Sequence, residues 1–501
     1  MAKYIGITLG PIHNVLSYAK TTRAIWASSY LFSYLAKQIV TSLYALSKEK
    51  KVRFLKPRMQ SLMFETRDGV GRFPDQYIVE LSDDAQNEVS LEGLRTEWEE
   101  ILILLAQDIC KAVGKSDDEL VRIGAYLKHA LRLVLIEKEM GDLTDGQIVY
   151  NMQQMMSMLE CQDEYCAEEE CNYLALYFES TSTDTLLMRD RNEHCRRPFN
   201  TILEYSVGFE YKGDKKLLLK ESDNVIAELR TRQKYIALVS ADGDNFGSTL
   251  AQYGEEVGDI FDAFSRNLPQ MVEEFGGKMI YQGGDDMFFF APLYCPEGNQ
   301  KGDLFGLLSR MGSCFDEMIK EWPRFESIEP SSLRPSLSFG VSVSYYKYPM
   351  FETKFMSENL LEEAKKTENK NKINWKVRKH SGQTFGAMID KNDPEELNKS
   401  VDLINASLGR DSLFLHSVTY WLDSQLEMLS YILENEDADF RQQALQNFMN
   451  NNFNEGIHGN YESFLLRAQE YLLHFEKGSG LRKLHVLLRY ITLLIKKNDY
   501  E

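Results

Sequence analysis

Two short stretches carry most of the chemistry legible in this chain. In "SADGDNFGSTLA" (240–251), one glycine separates Asp242 from Asp244; in "MIYQGGDDMFFFAP" (279–292), Asp285 and Asp286 stand together between two apolar runs. Adjacent carboxylates in low-dielectric surroundings repel each other unless a cation joins them. Hard oxygen donors of this kind favour Mg²⁺ or Mn²⁺. Asp242, Asp285 and Asp286 are therefore the candidate metal-binding and catalytic acids. Asp244 is a further candidate ligand, with helix capping as its competing role. Gly243, Gly283 and Gly284 let the backbone pass close to a ligand, and Gly243 joins the candidate metal site. The plain alternative for Gly-Gly-Asp-Asp is a polar hairpin turn, because both residue types favour turns. The D-x-D at the end of the preceding strand weighs against it. Two ions held here would bridge nucleotide phosphates, acidify an attacking hydroxyl and stabilise leaving pyrophosphate.

The elements around these acids follow an ordered pattern. "KYIALVSAD" (234–242) reads as a buried strand, 255–277 as an amphipathic helix, and "KMIYQ" with "MFFFAP" as a hairpin. A helix over 303–322 and a strand, "SLSFGVSVSYY" (336–346), complete βαββαβ, the ferredoxin-like pattern. In such a sheet the first strand is central, which brings Asp242 beside the hairpin acids. The first half reads alike: a strand at 3–10, a helical pattern over 12–46, strands at 58–65 and 76–81, a helix at 90–113, and a last strand, "EYSVGFEY", at 204–211. The stretch 118–200 reads as mostly helical with a cysteine-bearing loop. The expected class is α+β: two ferredoxin-like domains, arising by internal duplication, and a C-terminal α-helical bundle. The expected boundaries are 1–212 (with an insertion at about 115–200), a connector at 213–233, a second unit at 234–392 and the bundle at 393–501.

The chain has 501 residues, too many for one core. Its net charge of −19 argues against a protein held to nucleic acid by bulk charge alone. The charge is uneven, since residues 1–58 hold ten Lys/Arg against the single acid Glu49. That suits a face meeting RNA, ATP or an acidic partner, and equally a solvated helix face. No apolar run reaches the ~18–20 residues that cross a bilayer. The first residues read as a strand rather than a secretory leader, and seven cysteines, an odd count, fit a reducing cytoplasm.

D-x-D followed by Gly-Gly-Asp-Asp resembles the Palm domain of nucleotidyl cyclases and polymerases. Three further segments narrow the likeness: 7–37 and "GRFPDQYIVEL" (71–81) are similar to the first Palm, and 337–366 to the end of the second Palm, of the large subunit of type III CRISPR–Cas effector complexes, closest to the III-B branch. The resemblance spans most of residues 1–392 and is generic beyond. It implies ATP as substrate with two Mg²⁺ or Mn²⁺ ions, and synthesis of cyclic oligoadenylate switched on by target RNA. Some relatives instead join AMP to S-adenosylmethionine. It implies nucleotide contacts at Gly283, Gly284, Asn245, Phe246, Gly247 and Ser248, and a helix that brings Lys365 near the phosphates. The first Palm, whose turn 66–75 lacks the acidic pair, is expected to bind a nucleotide rather than catalyse. The implied partners are the other protein subunits, CRISPR RNA and target RNA, with no membrane.

The sequence departs from that family in two places. No His-Asp dipeptide occurs anywhere, so no DNase activity of the phosphohydrolase type is expected. Cys161, Cys166, Cys171 and Cys195, with His194 as substitute, are the candidates for a Zn²⁺ site, but four residues separate the first three where a knuckle has two. A metal-free loop is the equal alternative. Lys20, Arg23, Trp26 and Ser29 lie near a strand–helix mouth and are candidate contacts to a second nucleotide; a packed helix face competes. The basic run 362–382, with Lys372, would reach triphosphates or RNA, or be a solvated loop. Two other functional readings stand beside adenylyl transfer: a silent Palm scaffold, and a free-standing cyclase of the diguanylate type.

Overall fold

A computed structural model describes residues 2–16, 19–57, 59, 63–64, 69–141, 143–160, 171–180, 184–190, 199–246, 248–249, 255–283, 285–329, 333–408, 412–452, 462–475 and 479–497. The first sheet is built from β1 (Ala2–Gly10), β2 (Val52–Lys56), β3 (Gln76–Leu81) and β4 (Arg132–Met140), in the order β2-β3-β1-β4 with antiparallel neighbours throughout. Helices α1 (Thr22–Lys48) and α2 (Leu91–Val113) cover one face. Odd residues of β1, Ile5, Ile7 and Leu9, point into their core. α2 starts where the Ser90 hydroxyl accepts from the Gly93 amide and stops at Gly114, whose φ of 70° suits a residue without a side chain. The opposite face carries α3 (Asp145–Glu160), packed on Tyr4, Ile78 and Met140.

Several sequence expectations for this half need correction. The closing strand is 132–140, inside the stretch expected to be helical, and of 204–211 all but the extended Tyr211 is helical instead. There Thr201 and Glu204 form a reciprocal capping box that starts a helix. The second strand is 52–56 rather than 58–65; of the latter, 63–64 are helical and most of the rest falls outside the described residues. The helical pattern of 12–46 is two helices, Ile12–Leu16 and α1.

The second sheet contains β5 (Tyr235–Asp244), β6 (Lys278–Gly283), β7 (Asp286–Pro292) and β8 (Ser336–Tyr345), extended by β9 (Lys372–Arg378) and β10 (Thr384–Asp390). Its order is β10-β9-β8-β5-β7-β6, so β8-β5-β7-β6 repeats the order of β4-β1-β3-β2. β9 runs parallel to β8; other neighbours are antiparallel. Ala237, Val239 and Ala241 face α4 (Glu255–Phe275) and α5 (Leu304–Lys320); Ile236 and Leu238 on the other side join the core of the first half. Along that second side runs α6 (Met350–Lys365), seated against Gly340, where an added Cβ would lie 2.1 Å from the Ser357 carbonyl oxygen. The basic run 362–382 is thus no loop: Ile373, Trp375 and Val377 are buried on β9.

The C-terminal region is helical from Pro394 to Ile495 in six helices among the described residues. It shares one hydrophobic core with the second sheet. Tyr490 of the last helix (Ser479–Ile495) meets Phe305 and Trp375 at ring-centre distances of 5.0 and 5.6 Å. The two halves also join through main chain: the Gly71 amide donates to the Ile280 carbonyl (3.2 Å), and the Gln282 amide to that of Gly71 (2.8 Å). No described helix is long and apolar enough to cross a membrane.

Candidate functional site

The acids meet because β5 and β7 are neighbours. Ala241 pairs with Met287, and one antiparallel step further sets Asp242 opposite Asp286. Beyond them the Gly243 amide donates to the Asp285 carbonyl at 3.3 Å. A Cβ at Gly243 would lie 2.9 Å from that of Asp285, so only glycine admits the hairpin tip this close. Lys365, the last residue of α6, donates to Asp242.

The electrostatics follow from this crowding. Burial, then the charge of Asp242, push the Asp285 carboxyl up to about 7. Burial and the charges of Asp242 and Asp285 push Asp286 well above the usual range; Asp286 keeps an exposed surface, so the neighbouring charges are the weightier cause. Burial disfavours the Lys365 ammonium, but Asp242, Asp285 and Asp286 outweigh it and raise its pKa. The cluster holds more negative than positive charge, the condition a divalent cation relieves. Among the described residues no three acidic, histidine or cysteine side chains form a ready-made metal cage. Mg²⁺ needs only one or two carboxylates when water and phosphates supply the rest, so these donors fit it.

Asp244 lies elsewhere in this arrangement. It is fully buried, and its Oδ2 accepts from the Ser336 and Ser338 hydroxyls (2.7 and 2.6 Å) and the Asn371 amide (2.9 Å). It does not cap a helix. Asn245 takes the left-handed conformation (φ 57°) that Asn tolerates, and its side chain receives Lys370 Nζ at 2.9 Å. Ser248 turns back to the Asn245 carbonyl, Phe246 packs against the core, and Gly283 ends β6. Gly247 and Gly284 lie outside the described residues. Lys372 pairs with Asp390 across β9 and β10, so its ammonium is already engaged.

In the first half, Trp26 is core, stacked on Tyr30 with its indole donating to the Gly69 carbonyl. Ser29 and Arg23 are half-buried, and burial lowers the Arg23 pKa. Lys20 is exposed, with its amide on Glu179. Of the cysteines, Cys171 is half-buried against the first core as a free thiol; Cys161, Cys166 and Cys195, with His194, lie outside the described residues.

Register exposes a second constellation that local sequence does not. Thr8 pairs with Gln76, the first residue of β3, as Asp242 faces Asp286, the first residue of β7. The Leu9 amide donates to the Asp75 carbonyl (3.0 Å), as that of Gly243 does to Asp285. α3 and α6 both have 16 residues, and each reaches the central strand with its last. Lys365 meets Asp242, whereas Glu160 accepts from Thr8. Asp242, Asp285, Asp286 and Lys365 thus correspond to Thr8, Asp75, Gln76 and Glu160. The first half also borders the acidic site itself: Lys56 lowers the Asp285 pKa, and Asp75 adds to the charges that raise Asp286.

A sheet ending in a strand-end acid beside an acidic hairpin tip, with a helix-borne lysine, defines a Palm-type protein. Two family models match the chain: Cas10/Cmr2, second palm domain, over residues 235–374, and CRISPR-associated protein Cmr2, N-terminal, over 4–103. Both models are of the Cas10/Cmr2 family, to which residues 4–103 and 235–374 thus belong. Among solved structures it is similar to the Csm1–Csm4 cassette in complex with pppApA (TM-score 0.52, 12% identity, 99% of this chain and 69% of that one). The same cassette in complex with cA4 gives 0.51 and 12%, covering 99% and 70%. The apo type III-B Cmr-β structure gives 0.50 and 10%, covering 89% and 77%. At these identities the likeness is one of fold. No curated protein sequence matches.

Proposed function

We propose that this chain is the catalytic large subunit of a type III CRISPR effector complex of the III-B branch, and that it transfers AMP from ATP once the complex, through its CRISPR RNA, recognises target RNA. The observation that carries this is the meeting of Asp242, Asp285 and Asp286 at the end of β5, with Lys365 donating to Asp242. The binding of pppApA and of cA4 by structurally similar cassettes supports it. The repeated strand order supports reading both halves as ferredoxin-like Palm domains, the second catalytic and the first degenerate.

Asp242, Asp285 and Asp286 would hold Mg²⁺ or Mn²⁺ ions, which when bound neutralise the phosphates and acidify the attacking hydroxyl. The acceptor oxygen bonds to the α-phosphorus, the bond to the β-phosphate oxygen breaks, pyrophosphate leaves, and the acceptor proton passes to solvent. Lys365, which donates to Asp242 at the end of α6, would offer its ammonium to the triphosphate. Lys370 and Asn245 form the rim beside it.

A specific observation bears on the acceptor. Where the second Palm has the Lys365 ammonium, the first has the Glu160 carboxylate, with Asp75 close to the shared cleft. A second triphosphate would meet negative charge there, whereas the sulfonium of S-adenosylmethionine would be attracted. The reading we favour is therefore an AMP conjugate, with cyclic oligoadenylate as the second product class.

The test uses the assembled complex with labelled ATP, Mn²⁺ and matching target RNA, with and without S-adenosylmethionine. RNA-dependent pyrophosphate release is expected, lost in Asp285→Ala plus Asp286→Ala. Release that survives the double substitution refutes the assignment, and RNA-independent use of GTP by the isolated chain points to the diguanylate-type alternative.

A further inference from the structure

Asp244 has the residue type of a metal ligand and the surroundings of something else. Its side chain is fully buried. Three donors converge on its Oδ2: two hydroxyls from the start of β8 (Ser336 and Ser338) and the amide of Asn371 just ahead of β9. Its Oδ1 has no hydrogen-bond partner among the described residues. Asp244 acts through space on Lys391, whose ammonium donates to the Leu337 carbonyl (2.7 Å) and Asn371 Oδ1 (2.9 Å). Asp244 thus ties together the end of β5, the start of β8 and the turn over 366–371. Lys365 ends the helix before that turn, and Lys370 within it reaches Asn245. At the corresponding register position the first sheet has Gly10, which offers no side chain for such a tie.

We propose that Asp244 is a positioning residue of the adenylyl-transfer site and not a ligand of its ions: it fixes the turn over 366–371 so that Lys365 and Lys370 face the end of β5. This rests on the function proposed above and deepens it. With Oδ2 held by three donors, the carboxylate cannot swing to an ion without abandoning them, and its unpartnered Oδ1 is buried where it stands. What the tie needs is an acceptor, not a negative charge. An asparagine carbonyl can still accept from serine hydroxyls and a main-chain amide. A metal ligand, by contrast, loses its charge when changed to asparagine.

The experiment measures Mn²⁺ binding by the loss of free-ion paramagnetic resonance signal, and AMP-transfer kinetics, on the assembled complex carrying D242N, D244N, D244A or the S336A/S338A pair. D244N is expected to keep Mn²⁺ affinity and kcat/KM within about threefold of wild type, while D242N loses about tenfold or more of Mn²⁺ affinity. D244A and the serine pair are expected to keep Mn²⁺ affinity but to raise KM for ATP about tenfold, by loosening the lysine-bearing turn. The serine pair leaves the carboxylate in place, so it supplies the result if D244A does not fold. Weakening of Mn²⁺ binding by D244N as severe as by D242N overturns the proposal, as does an unchanged KM in the serine pair. Wild-type complex that binds Mn²⁺ yet transfers no AMP refutes the functional reading instead, and the comparison of D244N with D242N still decides whether Asp244 is a ligand.

Discussion

Replacing Gly340 by alanine tests how tightly the fold and the chemistry are coupled. Gly340 lies on β8 directly beneath α6. An added Cβ would sit 2.1 Å from the Ser357 carbonyl oxygen, 2.4 Å from the Leu361 amide nitrogen and 2.8 Å from the Leu361 Cβ. Two of these atoms are main chain, so no rotamer change relieves the clash. Ordinary contact begins at 3.4 Å, and α6 must therefore withdraw by about 1.3 Å. Its last residue is Lys365, the partner of Asp242. Misplacing a catalytic group by ~1 Å costs about 100-fold in rate, and overpacking of this kind costs ~1–3 kcal/mol of stability. G340A in the assembled complex is expected to lower kcat for AMP transfer about 10–100-fold and to lower the Tm of the chain. It leaves the carboxylates intact, so Mn²⁺ should still bind. Wild-type kcat with unchanged Tm would show that α6 moves freely over the sheet and that its position does not set the chemistry.

Three further outcomes follow from the same geometry. Gly243→Ala pushes its Cβ against Asp285, so Mn²⁺ affinity should fall about tenfold, read by titration of the free-ion resonance signal. The Asp285 carboxyl, raised to about 7, titrates above its unfolded value; its contribution to stability is full in acid and fades as pH rises through about 7. Metal-free protein should therefore lose Tm as pH rises from about 4 to about 7, and Mn²⁺ should restore it at the alkaline end. Glu160→Gln removes the negative charge beside Thr8, and the yield of S-adenosylmethionine conjugate relative to oligoadenylate should drop about tenfold, measured by chromatography of products.

What could be read from the sequence follows how each segment is buried. β5, β7 and β8 are buried on both faces, so they appear as near-continuous apolar runs ended by Gly or Asp, and the acids at their ends could be placed in advance. β4 is an edge strand with half-exposed residues and a charged end, "RLVLIEKEM", and periodicity alone merges it with the helices around it. "EYSVGFEY" misleads in the other direction: it alternates like a strand, but Thr201 ahead of it nucleates a helix. β9 hides a period of two, Ile373, Trp375 and Val377, beneath five charged or polar neighbours counted by Lys372, Asn374, Lys376, Arg378 and Lys379, so its basic character dominated. Lys56, Asp75 and Glu160 carry no local signal at all. Their relation to the site exists only through strand register and the approach of one half to the other.

That register also explains why the two halves differ where they do. Both keep the strand order, the amide-to-carbonyl bond at the sheet end and a 16-residue helix whose last side chain reaches the central strand. These features fix main-chain geometry and tolerate almost any residue at the contact point. The contact point itself is free to diverge, and there the charges are inverted: acid with lysine in one half, threonine with glutamate in the other. A pair of carboxylates is stable beside the central strand only where a cation is available to join them. With Glu160 in place of a lysine, an Asp at position 8 would add charge to charge, so Thr8, which can donate to the glutamate, is the compatible residue. The absence of an acidic pair from the first half and the presence of Glu160 there are therefore one electrostatic difference rather than two, and it is the ground on which a positively charged acceptor is proposed.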